Sequence, residues 1–219
     1  MKHVLPASLL ALSLPLLAGC GSIVGAAIPP QTLSNPANLN GATLTSASPL
    51  AVQRVGTSVQ YDTSATVPAG SFKDLDMSEI PLGIRPYAAE IKASLKSVTV
   101  SGACVMPESF TLTLETLAVS VWNSGDKASA ATLSSSPSLN IVATRTSGGV
   151  GTGAYSLAAN SATVGKNDVN VPKALSILTS GGMNDVSVSA KISADNDGLA
   201  GCNLTFTLGD SSVTLSNFK

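Results

Sequence analysis

The chain has 219 residues, of which 44% are hydrophobic and 11% are charged, and its formal net charge at pH 7 is −1. Nucleic-acid binding needs a basic face that neutralises phosphates, and electrostatic adhesion to an anionic membrane needs a polybasic cluster. The near-neutral balance argues against both, so we expect no nucleic-acid partner.

The first nineteen residues have the pattern of a secretory leader. Lys2 is followed by an apolar run from Val4 to Leu17, and small residues precede Cys20. The run is shorter than the ~20 apolar residues of a membrane-spanning helix and matches the apolar part of a signal peptide. The segment Leu17-Ala18-Gly19-Cys20 resembles the lipobox of bacterial lipoproteins. That resemblance implies a signal peptide over residues 1–19, cleavage before Cys20, and attachment of fatty acyl chains such as palmitate to Cys20.

The same resemblance implies a location. More than one acyl chain gives firm membrane attachment, so we expect an extracytoplasmic protein held to the membrane through its N-terminal lipid. Gly21, rather than Asp, follows Cys20. In a two-membrane organism this implies the outer membrane, at its periplasmic or surface face. The alternative is an ordinary secretory signal followed by a chance cysteine.

Residues 20–49 are expected to form the lipidated N-terminus and a flexible tether. They contain four prolines among Ser, Asn, Gly and Thr, and they show no sustained hydrophobic period. A flexible coil of about 29 residues spans about 30 Å on average. The remaining residues, 50–219, are enough to bury a core, and we expect a single domain there.

Composition and alternation both favour β-structure. Ser and Thr together make up roughly a quarter of the chain, and they suit the solvated face of a sheet better than that of a helix. Apolar and polar residues alternate in short segments separated by Gly, Asn, Asp and Ser. The predicted strands cover 55–67, 97–101, 110–122, 139–144, 155–164, 186–192, 202–208 and 213–215. We therefore expect an all-β fold, an immunoglobulin-like or jelly-roll-type antiparallel sandwich.

The segment from Phe110 to Trp122 changes its apolar parity midway. Its first half places apolar residues at even positions as far as Leu114, and its second half places them at odd positions from Leu117. Such a change predicts a β-bulge, or a strand that leaves one sheet for the other.

One or two short helices are expected beside the strands. Pro86 opens a segment in which Tyr87, Ile91 and Leu95 recur every four residues, which is typical of a short amphipathic helix. A second helix is predicted over 172–180, with two glycines after it as a stop.

Two cysteines remain once Cys20 carries lipid. Cys104 and Cys202 both share the apolar parity of their neighbours, and an exported protein folds in an oxidising compartment. We expect a Cys104–Cys202 disulfide, which would contribute roughly 4–5 kcal/mol at most in the chain-entropy model. The alternative is a pair of buried free thiols.

The histidine content limits the chemistry. His3 is the single histidine and lies in the leader, so the mature chain has no imidazole. This excludes Ser-His-Asp and Cys-His hydrolases, zinc sites that use histidine, and blue-copper sites. We expect no cofactor and assign no catalytic residue.

Three short motifs are weak candidates for chemistry. Ser124-Gly125-Asp126-Lys127 has the Ser-x-x-Lys spacing, but it follows a strand rather than opening a helix, and we interpret it as a hairpin turn. The glycine-rich stretch 149–153 lacks the residues of a phosphate loop and is interpreted as a flexible loop.

The third motif, Asp195-Asn196-Asp197-Gly198, resembles the start of a calcium loop, with Asp195 and Asp197 as candidate ligands. No acid closes the loop, because Leu204 stands at the position of the bidentate Glu. Asp-Gly between two alternating segments is also a strong hairpin signal, which we favour.

We therefore expect a lipid-anchored envelope protein with a structural or partner-binding role, whose loops or Ser/Thr-rich sheet edges meet an envelope or surface-layer protein. One alternative is a carrier of an apolar small molecule, which would need a large apolar cavity. The other is a carboxylate- or calcium-dependent envelope hydrolase, which would need clustered acids in a concave pocket.

Overall fold

A computed structural model describes residues 28–219 except 47, 56, 57, 79, 81 and 82, and for 52–70 it describes the backbone only. The leader, Cys20 and Gly21 lie outside the described residues. The described strands, in chain order, are β1 (Gln31–Ser34), β2 (Thr43–Ser46), β3 (Ala51–Val55), β4 (Ser58–Lys73), β5 (Pro86–Ser101), β6 (Ser109–Asn123), β7 (Ala131–Ser135), β8 (Leu139–Gly149), β9 (Thr152–Leu157), β10 (Ala162–Val164), β11 (Met183–Ala194) and β12 (Asn203–Phe218). One α-helix, α1 (Val171–Leu178), and two 3₁₀ helices (Lys127–Ser129 and Asp197–Leu199) complete them.

The strands form two layers, and every pairing is antiparallel. In the front layer β12 runs between β5 on one side and β1 and β2 on the other. In the back layer β11 runs between β4 and β6. The hydrogen bonds continue from one layer to the other, because β2 also pairs with β4, and β8 and β9 connect β6 to β5. The expected all-β antiparallel sandwich is confirmed.

The core lies between the layers and follows the alternation of the strands. Leu204 and Phe206 of β12 are fully buried, as are Val98 and Val100 beside them on β5. Helix α1 covers one flank, against β5, β6 and β7, and buries Val171, Ala174, Leu175, Ile177 and Leu178. The predicted second helix is confirmed, with Pro172 in its first turn, where a missing N–H costs no hydrogen bond.

The parity change in β6 is a β-bulge. Lys191 pairs with Thr116 and Ile192 pairs with Leu114, so Glu115 is the extra residue. At the same place β6 exchanges its other neighbour, β8, for β7. β6 stays paired with β11 on both sides, so the bulge is the alternative that is confirmed. It lets the apolar residues on both sides of it face the core.

The predicted helix at Pro86 is wrong. Residues 86–101 form one long strand, β5, which pairs with β12 along its length. A spacing of four residues fits a helix, but it is also a multiple of two, so it cannot tell a helix from a strand. Tyr87 is exposed whereas Ile91 is buried, so the two do not share a helical face.

The predicted tether is too long. Strands β1 and β2 lie inside residues 20–49 and pair with β12. Leu39, between the two strands, and Leu44, in β2, are buried in the core. Each of these strands is only four residues long and shows little alternation in the sequence, so the segment has the pattern of a linker. The boundary predicted between residues 49 and 50 therefore falls inside the domain.

Three of the predicted strands are divided or joined in the structure. Residues 155–164 divide into β9 and β10, whereas the two segments 202–208 and 213–215 join into β12. A bulge at Gly209 and Asp210 breaks the alternation of β12, since Leu208 pairs with Leu95 and Ser211 with Ala93.

In the part of the chain that the structure describes, no helix has the length and apolarity to cross a membrane.

Candidate functional site

Three connections meet at one end of the sandwich, which we name the disulfide end: residues 102–108, the turn 148–151, and residues 195–202. A disulfide joins Cys104 to Cys202, whose Cα atoms are 5.7 Å apart, and Cys202 is fully buried. The expected disulfide is confirmed. It fastens the connection after β5 to the start of β12.

Backbone hydrogen bonds hold these connections together. The N–H of Val105 donates to the carbonyl of Gly198 (2.9 Å), and that of Gly102 donates to the carbonyl of Gly151 (3.0 Å). The amide of Leu50 donates to the Cys202 carbonyl at 2.7 Å, which adds the segment before β3. At the disulfide end, the loops are therefore joined to one another by a disulfide and by backbone hydrogen bonds. Loops held on a sheet scaffold are a common location for binding surfaces.

Two aliphatic side chains project from this end. Val105 is 72% exposed, and Val150 is fully exposed at the tip of the β8–β9 hairpin. The glycine-rich stretch is this tight hairpin turn rather than the loop predicted. Gly148 is required there, because a Cβ would lie 2.6 Å from the carbonyl oxygen of Thr152.

The opposite end, which we name the basal end, consists of residues 28–30, 85–87 and 217–219. Gln31 pairs with Leu215, and Pro86 pairs with Phe218, so the chain enters the domain beside the end of β12. Leu215 comes thirteen positions after Cys202 in the sequence, which corresponds to roughly 40 Å at the rise of an extended strand. The chain therefore enters at one end and the disulfide lies at the other.

The calcium candidate lies at the disulfide end, where the side chains of Asp195 and Asn196 bond to the backbone. The N–H of Thr111 donates to Asp195 Oδ1 at 2.7 Å, and the Asn196 side chain caps the 3₁₀ helix by accepting from the N–H of Gly198 at 2.9 Å. In the described ranges no three His, Cys, Asp or Glu side chains are close enough to hold a metal ion. The assignment of Asp195 and Asp197 to calcium stays a prediction.

The hairpin predicted at Asp197-Gly198 is wrong. Strand β11 belongs to the back layer and β12 to the front layer, and the two do not pair. The chain instead crosses between the layers through the 3₁₀ helix Asp197–Leu199, whose Leu199 is fully buried.

The Ser-x-x-Lys motif forms the turn between β6 and β7, as expected. The Nζ atom of Lys127 lies 5.4 Å from the centre of the Trp122 ring. The Ser124 hydroxyl donates to Asp185 Oδ1 at 2.9 Å. The turn therefore fixes a carboxylate and an indole rather than activating a serine.

Sequence reasoning missed the group around Asp185, since its members are far apart in the chain. The hydroxyl of Ser71 donates to Asp185 Oδ1 at 2.6 Å, beside the bond from Ser124. These two bonds, with a smaller one from Trp122, hold the pKa of Asp185 below its usual value. A carboxylate with a lowered pKa is a poor proton acceptor, so this group does not resemble a general base.

The pKa values of two other carboxyl groups, those of Glu115 and Asp76, are also lowered. Bonds from Lys191, and to a smaller extent Ser193, lower the pKa of Glu115, and bonds from Ser78 lower the pKa of Asp76. A carboxyl group that acts as a general acid needs a raised pKa. The shifts resolved among the described carboxyl groups therefore give the hydrolase alternative no acid.

Two apolar cavities lie between the layers, and both are small. One of about 40 Å³ lies among Leu44, Leu114 and Ile192, and one of about 30 Å³ lies among Leu39, Phe72 and Val121. Pockets for small molecules are typically on the order of 300–1,000 Å³. The core that the structure describes is filled, in contrast to the large cavity that a carrier would need.

A larger polar groove of about 730 Å³ lies outside the β12 bulge. Its polar side chains bind the chain itself: Asn40 Oδ1 accepts from the N–H of Ser211 (3.0 Å) and from its hydroxyl (2.9 Å). Asn160 exchanges two 2.9 Å hydrogen bonds with the backbone of Leu95. These contacts support the bulge, so we interpret the groove as structural.

Comparison with known proteins assigns no family. No family model matches the chain, and no curated protein matches it. A solved structure of the infectious bursal disease virus Gx strain is similar over 87% of this chain and 42% of that chain, at 10% identity and a TM-score of 0.18. The chain thus spans about two fifths of that viral chain, and a likeness at this score carries no argument.

Proposed function

We propose that this is a lipid-anchored, non-catalytic protein of the bacterial cell envelope with a structural or partner-binding role. One observation carries the proposal: the chain enters the sandwich at the basal end, roughly 40 Å from the fastened loops of the disulfide end. With an acyl anchor on Cys20, those loops would face away from the membrane. A scaffold of this kind displays a surface to a partner.

The loops suit a partner better than the edge of β7 does. The described β7 edge is covered by the segment before and within α1: the N–H of Ser134 donates to Asp168 Oδ2 (2.9 Å), and Asn170 Nδ2 donates to the carbonyl of Thr132 (2.9 Å). Lys173 Nζ adds a bond to the carbonyl of Ala130 at 3.1 Å. Side chains that occupy an edge in this way protect it from pairing with another chain.

The two alternatives have less support. A carrier would need more room than cavities of about 40 and 30 Å³ provide. A hydrolase would need a carboxyl group with a raised pKa or a cluster of acids, and the shifts resolved for Asp76, Glu115 and Asp185 are all downward.

Fractionation and protease shaving of intact cells test the anchor. We expect wild-type protein in the membrane fraction and Cys20→Ala protein in the soluble fraction. Digestion of the wild type from outside would place it on the cell surface, and protection would place it in the periplasm. Identical fractionation of the two forms would contradict the lipid anchor.

Site-directed photo-crosslinking in cells tests the partner surface. A crosslinker at Val150 should form one discrete adduct with an envelope component. The matched control is Val169, which is 90% exposed in the loop before α1, away from the disulfide end. Equal adducts from both positions would contradict a surface specific to the disulfide end.

A further inference from the structure

The anchor is short, since the folded domain begins early in the chain. Ile28 already packs against the core, and Gln31 begins the pairing of β1 with β12. With Cys20 as the first mature residue, only residues 20–27 separate the lipid from the domain. Eight residues span at most about 29 Å when fully extended and about 15 Å on average as a coil. The basal end is therefore kept close to the lipid surface.

The basal end carries side chains that suit such a surface. Arg85 and Lys219 exchange two backbone hydrogen bonds, of 2.9 and 3.0 Å, and both side chains are exposed. Tyr87 is 56% exposed, and Lys219 Nζ lies 5.3 Å from the centre of the Tyr87 ring. Tyrosine is enriched where a protein meets the membrane–water interface, and basic side chains there reach the lipid phosphates.

This patch belongs to the front layer. Arg85 precedes β5, Tyr87 is the second residue of β5, and Lys219 follows β12. The acidic residues Asp74 and Asp76 follow β4, at the same end of the back layer. Contact with phosphates is therefore favourable on the front-layer side of the basal end and unfavourable on the other side.

We propose that the patch of Arg85, Tyr87 and Lys219 rests on the phospholipid headgroups of the membrane that holds Cys20. The inference rests on the proposed lipidation of Cys20. The short tether brings the patch to the surface, the two cations contact lipid phosphates, and the tyrosine lies among the headgroups. The sandwich then stands upright, and the disulfide end lies roughly 40 Å above the headgroups.

Fluorescence quenching of the lipidated protein in phospholipid vesicles with nitroxide-labelled headgroups tests the contact. Trp122 is the single tryptophan of the chain, so a reporter can be moved. We expect the Trp122→Phe/Tyr87→Trp variant to be quenched several-fold more strongly than the Trp122→Phe/Val150→Trp variant. Equal quenching, or none in either variant, would overturn the inference.

A charge series tests the patch itself. In the Trp122→Phe/Tyr87→Trp background, Arg85→Gln/Lys219→Gln should lower the quenching at least twofold while the protein stays on the vesicles. The matched control is Lys96→Gln/Lys166→Gln, which removes two exposed lysines elsewhere and should leave the quenching unchanged. Unchanged quenching in the first variant would overturn the assignment of the patch.

Vesicle retention separates the two levels of the proposal. If only the wild type is retained and Cys20→Ala is not, but the reporter at position 87 is not quenched, the anchor stands and the headgroup contact is wrong. If both forms are retained or lost alike, the proposed anchor is wrong and the headgroup contact fails with it.

Discussion

Glu115 and Lys191 form an ion pair across the β6 bulge, with Glu115 Oε2 at 2.8 Å from Lys191 Nζ. Glu115 is the residue that has no counterpart on β11, and Lys191 is the last residue of β11 before the register changes. The pair therefore joins the two strands where their ladder is interrupted.

Removing this pair should cost a small amount of stability that depends on pH. Both side chains are partly exposed, so we expect Glu115→Gln to lower the free energy of unfolding by about 0.5 kcal/mol. The pKa of Glu115 is lowered from its model-compound value of 4.5 in the folded state, chiefly by Lys191. The contribution is therefore present above pH 4.5 and is lost as the pH falls towards the lower, folded-state value.

Urea unfolding of wild type, Glu115→Gln, Lys191→Gln and the double variant at pH 7 and pH 3 measures the coupling. A coupling energy that is the same at both pH values would contradict this account. One molar salt should reduce the coupling at pH 7, because the pair is partly solvated.

Opening the Cys104–Cys202 disulfide should destabilise the domain strongly. The bond closes a loop of 98 residues, and loss of a native disulfide typically costs about 2–5 kcal/mol. We expect Cys104→Ser/Cys202→Ser to fall within this range in urea unfolding under oxidising conditions. Reducing agent should lower the stability of the wild type equally and leave the variant unchanged; a fall below 1 kcal/mol would contradict a structural role.

Uncovering the β7 edge should favour self-association. Asp168→Ala/Asn170→Ala removes the side chains that bond to Ser134 and Thr132 on that edge. We expect a loss of about 1–3 kcal/mol, because a charged acceptor and an amide donor are both removed. Light scattering should show dimers or aggregates that Asp210→Ala, an exposed matched control, does not form; a monomeric double variant would contradict the protective role.

Asp195 should act through its bond to the Thr111 amide rather than through calcium. Asp195→Ala removes the acceptor that lies 2.7 Å from that nitrogen, so we expect a loss of about 1 kcal/mol with or without calcium. Thermal unfolding with 5 mM calcium or with a chelator checks this. A melting temperature that rises with calcium in the wild type, and not in Asp195→Ala, would instead establish the metal site.

The sequence predicted those parts of the fold in which alternation is long enough to read. β6 and β11 alternate over many residues, and both the strands and the bulge between Leu114 and Leu117 were predicted. β1 and β2 are four residues each, and their place in the sheet depends on their pairing with β12, which local pattern does not reveal. β5 was misread at Tyr87 because a spacing of four satisfies two periods.

The candidate site was predictable only in part, for a similar reason. Cys104 and Cys202 could be paired because the expected export and the expected lipidation of Cys20 leave one choice of partners. The group of Ser71, Ser124 and Asp185 depends on three strands that lie side by side in the fold, and nothing local in the sequence distinguishes those residues. The same holds for the patch of Arg85, Tyr87 and Lys219. Arg85 and Lys219 come together because β5 begins beside the end of β12.

The position of β12 has a consequence for how the chain acquires its structure. β1, β2 and β5 all take β12 as their neighbour, yet β12 is made after every other strand that the structure describes. These contacts span long stretches of sequence, which slows folding. The front layer cannot be completed while residues 203–218 are still missing, so its strands wait for the last strand to be made. A truncated product that ends before Asn203 would leave β1 without a partner and β2 and β5 unpaired along one edge, where proteases could reach them.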